Sequence, residues 1–482
     1  MIQDAFFRVL ESEFPFPFTN DQHTAAAELS AFIMKPDARA AFILQGYAGT
    51  GKTTLVSALV RVMLKLKRNV ILMAPTGRAA KVFSNHASHP AYTIHKVIYR
   101  QKSKNDINAG FTLDYNKHRN TLFLVDEASM IANEGASQSL FGSGRLMDDL
   151  LEYVYSGQGC RIMLVGDTAQ LPPVGEVESP ALSKAMLEQW RLNVTLTSLK
   201  EVMRQAQQSG ILSNATQLRH MIAENHTITA PTVKVEGFPD LRITKGNNLI
   251  DALESSYDHV GLDETIVITR SNKRAILYNN GIRASIFGRE EGMTRGDIVM
   301  IARNNYYWTE KLAASLPEGE QLPMDFIANG DIAVVRHISR HQELYGLHFA
   351  DVTLSFPDYN DLEMDVRVIL DALQSESPSL SEKLSNQLFQ GVMEDYAEYP
   401  TYKKRMEKLR EDPNYNAIQL KYAYAVTCHK AQGGQWQHVF IDQGWIPDES
   451  VDTSYYRWLY TAFTRATEQL DLINWPDKQV EQ

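Results

Sequence analysis

Cysteine is nearly missing from this chain: Cys160 and Cys428 are the only two in 482 residues. They lie far apart and share no metal-ligand spacing. That excludes a disulfide scaffold and a zinc site, and it fits a reducing compartment. Long apolar runs are also lacking, so no segment is expected to cross a membrane. The opening Met1-Ile2-Gln3-Asp4-Ala5 lacks the basic-then-apolar pattern of a secretion signal. A cytoplasmic protein with no membrane partner is therefore expected. There is no excess of basic charge; the formal net charge is −10. That balance reads as solubility, yet a local basic groove is all that a nucleic-acid partner requires. Low-complexity segments and internal repeats are absent as well. What remains, 44% hydrophobic and 22% charged, is ordinary for a globular protein, and the length calls for more than one domain.

Against that plain background one segment stands out. Gly46-Tyr47-Ala48-Gly49-Thr50-Gly51-Lys52-Thr53 fits G-x-x-x-x-G-K-[ST] without a mismatch. An apolar run of buried-strand type, 41–45, precedes it. Helical spacing follows, with Leu55, Leu59, Val60, Val62 and Leu66 recurring every three or four residues. The chemistry needs this order. Glycines let backbone N–H groups wrap phosphates, and the helix behind points its positive end at them. Lys52 supplies a cation for the outer phosphates, and the Thr53 hydroxyl suits a magnesium ion. ATP and Mg2+ are the expected cofactors.

Strand-like and helix-like stretches alternate from residue 41 to about 197, with strands at 41–45, 69–73, 121–125, 161–165 and 194–197. This is the pattern of an α/β parallel sheet, whose ligands sit at the C-terminal strand ends. Residues 95–118 interrupt it with two β-capable arms, 96–101 and 111–115, joined by a turn-rich tip at 105–110. A second alternating unit begins near 208, with a strand at 264–269 and a helix at 272–287. A β-rich insertion follows, with strands at 297–301, 331–335, 345–354 and 363–369. A polar helical stretch covers 370–409. After Pro413 the pattern returns with strands at 417–426, 439–441 and 470–473 and a helix at 454–465.

Two further strands end in acidic residues. Asp126 and Glu127 close an apolar run at 122–125. Beside a phosphate loop Asp126 can hold a magnesium shell, and Glu127 can take a proton from an attacking water. The run 163–165 ends in Gly166-Asp167, and Gln170 is placed to sense the terminal phosphate. Arg204 and Arg465 are candidates for arginines that reach the phosphates from the second domain.

Taken in order, these clusters resemble the superfamily 1 helicases, specifically the RecD/Dda-like branch known as 1B. Phe18-Thr19-Asn20-Asp21-Gln22 is similar to the segment whose glutamine reads adenine. Ala74 to Ala80 resembles the single-strand contact loop, and Thr93-Ile94-His95 the short motif after it. The segments 126–127, 166–173, 201–205, 427–433 and 460–466 match the remaining motifs. The resemblance implies two RecA-like parallel-sheet domains, with a β-hairpin insertion in the first and an SH3-like β-rich insertion in the second. Their expected bounds are 1–200 for the first, 201–295 with 418–482 for the second, and 296–417 for the insertion with its helical extension. The implied catalytic set is Lys52, Glu127, Gln170, Arg204 and Arg465. Nucleotide contacts would come from Gln22, Gly46, Ala48, Gly49, Thr50, Gly51, Lys52, Thr53, Thr54 and Gly433, and metal contacts from Thr53 and Asp126. Single-stranded DNA would touch Pro75, Thr76, Thr93, His95, Thr427, His429 and Lys430, and the hairpin would be the wedge at a single-strand/double-strand junction.

The implied activity is ATP-dependent 5′–3′ unwinding by a monomer, with replication or repair proteins as partners. A single-strand translocase that displaces bound proteins shares every motif and differs only at the wedge. A non-enzymatic subunit fits poorly with intact Lys52, Glu127, Gln170 and Arg465. A P-loop kinase leaves the later motifs without a role.

Overall fold

The computed structural model describes residues 2–35, 37–101, 111–133, 142–202, 208–317, 320, 322–324 and 326–481. These fall into two compact units. The first holds Met1–Gln101, Phe111–Thr244 and Ala431–Gln482; the second holds Lys245–Lys430.

The first unit is built on a six-stranded sheet in which every pairing is parallel. From one edge to the other its strands are Ala91–Thr93, Asn69–Ala74, Thr121–Val125, Arg161–Gly166, Ala40–Gly46 and Asn193–Leu199. The central strands are buried along nearly their whole length, as parallel strands covered on both faces must be. Helices Asn20–Met34 and Lys52–Lys65 pack over one face through Ala25, Leu29, Leu55, Leu59 and Val62, all fully buried. Each such aliphatic side chain contributes about 1.5–3 kcal/mol by leaving water. Thr19 and Gln22 close the start of Asn20–Met34 with a capping box.

Five of the six strands lie where the sequence places them. The strand Ala91–Thr93 does not announce itself, because three residues carry no periodic signal. The first arm of the expected hairpin is corrected in part. Residues Ile94–Ile98 are helical, since the Thr93 hydroxyl accepts from Lys96 N–H and caps them. Among the described residues Tyr99–Gln101 pairs with Phe111–Leu113. The tip at 105–110 lies outside the described residues.

The first unit also carries a parallel set in which Trp436–Asp442 pairs with Ala466–Ile473, which pairs with Leu241–Thr244. Helix Thr453–Phe463 precedes the second of these strands and packs against helix Gly210–Ala223. The compact units divide differently from the boundaries read in the sequence: 208–244 and 431–482, tied to each other by this sheet and this helix pair, both fall in the first unit.

In the second unit Thr265–Thr269 pairs in parallel with Ala425–Thr427. Parallel strand sets thus occur in both units, as RecA-like α/β architecture requires. The insertion is a closed five-stranded barrel of Ile298–Ile301, Ile332–Leu344, Leu347–Phe356, Leu362–Ile369 and Ile418–Tyr422. Val352, Leu354 and Phe356 alternate inward against Met364, Val366 and Val368. The single strand expected at 417–426 is two strands. Its break is pinned by buried Tyr424, whose hydroxyl donates to Asp297 at 3.0 Å. The helical stretch expected at 370–409 is broken as well, into a short 3-10 turn Leu370–Gln374 and helices Glu382–Asp395 and Tyr402–Glu411. Leu388, Val392 and Leu409 pack on Leu347, Phe349 and Ile369, so these helices brace the barrel.

Candidate functional site: a phosphate loop and its neighbours

The loop after strand Ala40–Gly46 turns sharply into helix Lys52–Lys65 through Gly51, whose φ of 79° is left-handed and favours glycine. Gly46 is required for a different reason: a Cβ there would lie 2.6 Å from Lys52 Cγ. The lysine stem thus crosses directly over the loop, and Lys52 Nζ donates to the Tyr47 carbonyl at 3.1 Å. Thr50 is buried, its hydroxyl donating to the same carbonyl at 2.7 Å. Gln22 Nε2 donates to the Thr50 carbonyl at 2.9 Å, while Gln22 Oε1 accepts from Thr19 N–H at 3.0 Å. The side chain of Gln22 thereby ties the loop to its neighbouring helix. Thr53 and Thr54 begin helix Lys52–Lys65 behind the loop.

Asp126 follows the fully buried strand Thr121–Val125. Its carboxyl is pushed up to about 7 by burial first and by the Glu127 carboxylate second, with Lys52 opposing. A carboxyl so placed favours a cation beside it, which would restore its ionised form. Glu127 holds a left-handed φ of 50°, uncommon for a residue with a side chain, at the tip of the strand. Its Oε1 lies 4.0 Å from Arg465 Nη1. Arg465 is 2% exposed, with Nε donating to the Thr461 carbonyl and Nη1 to that of Gly434.

Gln170 is buried, and its Oε1 has no hydrogen-bond partner among the described residues. An orphaned carbonyl oxygen here is suited to accept a hydrogen bond from a bound water. The segment around it is tied to the later motifs. Leu171 N–H donates to Thr461 Oγ1 at 2.9 Å, and Gln432 Nε2 donates to the Leu171 carbonyl at 2.8 Å.

The expected DNA contacts lie at strand ends. Pro75 and Thr76 follow Asn69–Ala74, and Thr93 and His95 follow the adjacent Ala91–Thr93, with Ala74 in register with Thr93. Thr76 and Thr93 both cap helices. Burial pushes the His95 imidazole down to about 4, so it is neutral at physiological pH. In the second unit Thr427 is in register with Thr269, and His429 and Lys430 follow it on a short helix. Gly433 sits at a left-handed φ of 74°, where a Cβ would lie 3.0 Å from that of Ala79. It therefore packs on the helix after Thr76. Arg204 lies outside the described residues.

Several residues at the site were not singled out from the sequence. The Tyr460 hydroxyl accepts from Ala48 N–H at 2.9 Å and donates to Asp167 at 2.6 Å. Both residues belong to recognised segments, so their positions were visible but their pairing was not. The Arg78 guanidinium stacks 4.2 Å from the Trp436 ring and donates to the Gln435 carbonyl. Arg219 packs against Tyr47 from another helix. Only tertiary contact reveals these.

A phosphate loop on a parallel sheet, a carboxylate pair at the tip of another strand of that sheet and a buried arginine facing the pair define a P-loop nucleotide hydrolase. Residues 18–230 match the AAA domain family, and residues 422–473 match the UvrD-like helicase C-terminal domain. The chain is 32% identical over 184 residues to the ATP-dependent RecD2 DNA helicase of Deinococcus radiodurans, covering 37% of this chain and 21% of that protein. It is 25% identical over 272 residues to the ATP-dependent DNA helicase dda of Enterobacteria phage T4, covering 54% and 55%. An uncharacterized protein of Acanthamoeba polyphaga mimivirus, R530, is 23% identical over 95% of this chain and 99% of its own length. A Pif1 helicase from Bacteroides, solved with ADP-AlF3 and ssDNA, superposes with a TM-score of 0.45 at 15% identity, over 97% of this chain and 95% of that one. The chain thus spans about a fifth of the RecD2 protein and about half of the phage helicase. The ordered motifs and these two family matches indicate a superfamily 1B helicase, an ATP-hydrolysing class of enzyme.

Proposed function

We propose that this protein is an ATP-driven DNA helicase that moves 5′ to 3′ along single-stranded DNA and unwinds duplex ahead of it. The observation that carries the reading is the approach of Glu127 to Arg465 at 4.0 Å, a general base beside a buried cation. Bound with Mg2+, ATP would supply the phosphoanhydride that is hydrolysed. Glu127 takes the proton of the attacking water, and Gln170 Oε1 orients that water. Lys52, Arg465 and Arg204 would neutralise the phosphates, and Thr53 with Asp126 would hold the metal by hard oxygen atoms. Gln22, Gly46, Ala48, Gly49, Thr50, Gly51, Thr54 and Gly433 complete the nucleotide set.

The strand is held by Pro75, Thr76, Thr93 and His95, and by Thr427, His429 and Lys430. The adjacency of the strand ends at Ala74 and Thr93 supports the first group, and the Thr269–Thr427 register supports the second. Grip through phosphates and stacking tolerates sequence and weakens with salt. The two RecA-like halves of this reading are 1–200 and 201–295 with 418–482. Two relatives named as ATP-dependent DNA helicases favour it over a protein-displacing translocase. The test is hydrolysis with and without single-stranded DNA. The reading requires stimulation by DNA in the wild type and loss of turnover in Lys52→Ala; near-normal turnover in that variant refutes the site.

A further inference from the structure

Arg219 lies on helix Gly210–Ala223 and is 7% exposed. Its guanidinium carbon stands 4.5 Å from the centre of the Tyr47 ring, the residue that follows Gly46 in the phosphate loop. Nε and Nη1 are buried without a hydrogen-bond partner among the described residues. Leu212, seven residues earlier on the same helix face, also borders the loop; a Cβ at Gly49 would lie 3.3 Å from its Cδ1. One face of this helix therefore runs along the loop and presents a cation to it. The charge of Arg219 also reaches the Tyr460 hydroxyl, which bridges Ala48 N–H and Asp167.

A buried guanidinium loses its hydration, and stacking on Tyr47 repays only part of that loss. Donors left open beside a loop that binds phosphate call for an anion. We propose that Arg219 is a further phosphate-binding residue, whose open N–H groups take the outermost phosphate of a bound nucleoside triphosphate. The terminal group is indicated because the charge of Arg219 reaches Tyr460, whose hydroxyl donates to Asp167 in the segment that also carries Gln170. This rests on the nucleotide site of the proposed function.

The test is equilibrium binding of fluorescent ADP and of a fluorescent non-hydrolysable ATP analogue to the full chain. Wild type, Arg219→Gln, Arg219→Lys and Lys52→Ala are compared, with thermal melting in the absence of nucleotide. Arg219→Gln is expected to weaken the triphosphate roughly 10–100-fold, the worth of a hydrogen bond to a charged group, while ADP affinity is nearly unchanged. Its melting temperature should match or exceed that of wild type, because an uncompensated buried charge has gone. Should that variant not fold, Arg219→Lys, which lacks the planar fork, must show the same fall in the triphosphate-to-ADP ratio. An unchanged ratio, or parallel losses of both affinities with a lower melting temperature, overturns the proposal. Wild type that binds neither nucleotide would overturn the proposed function as well, and so separates the two failures.

Discussion

Tyr460 reaches across 412 positions of sequence to accept a hydrogen bond from the backbone N–H of Ala48, 2.9 Å away. That N–H belongs to the loop whose amides serve phosphate, so the phenol and a nucleotide compete for it. Removing the hydroxyl with Tyr460→Phe should tighten nucleotide binding by roughly 2–10-fold, the worth of one hydrogen bond. The variant should also melt lower without nucleotide, because buried Asp167 loses its partner. Fluorescence titration and a thermal melt read both effects, and unchanged or weaker binding would contradict the competition.

Glu127 is held at a strained strand tip facing Arg465. Glu127→Gln keeps the shape and removes the base. Hydrolysis should fall by about 10²–10⁴-fold while nucleotide still binds. Single-turnover hydrolysis set beside equilibrium binding separates the two quantities, and a variant that loses binding instead would place Glu127 outside the chemistry.

Among the described residues the hairpin pairs Tyr99–Gln101 with Phe111–Leu113. If it parts the strands, shortening 105–110 should reduce unwinding far more than DNA-stimulated hydrolysis. Equal loss of both would remove the wedge and favour a translocase.

Asp331 supplies a pH dependence. It is 2% exposed and accepts from Ala328 N–H at 2.7 Å and from the Tyr359 hydroxyl at 3.2 Å. Burial first, and the Asp358 carboxylate in addition, raise it from an ordinary 3.8 to about 7 in the folded barrel. Between those values the folded state holds a proton that the unfolded chain has lost, so the associated stability is complete below about 3.8 and disappears as the pH rises through 7. Asp331→Asn cannot titrate. The melting temperature of wild type relative to this variant should therefore drop between pH 5 and pH 8, and a constant difference would contradict the buried, protonated carboxyl.

The site was legible in the sequence where it is local. The phosphate loop, Asp126 with Glu127 and the segment ending in Gln170 are each contiguous, and each follows an apolar strand. Pairings that join distant segments were not legible: Tyr460 with Ala48, Arg219 with Tyr47, Arg78 with Trp436. Nothing in the neighbourhood of either partner encodes them. In the fold, the five long strands of the first sheet showed as apolar runs, whereas the three residues Ala91–Thr93 did not. The misreading of 96–98 as strand came from β-branched Val97 and Ile98, and the Thr93 cap overrode them. The run 417–426 looked continuous because both of its pieces are apolar. Only Tyr424, reaching back to Asp297, shows why the chain leaves the barrel there.

The most direct measurement is strand displacement on two partial duplexes, one with a 5′ single-stranded tail and one with a 3′ tail, with ATP hydrolysis followed in parallel. The account predicts displacement from the 5′ tail alone, dependent on ATP and lost in Lys52→Ala. Displacement from the 3′ tail, or DNA-stimulated hydrolysis that frees neither strand, would contradict it.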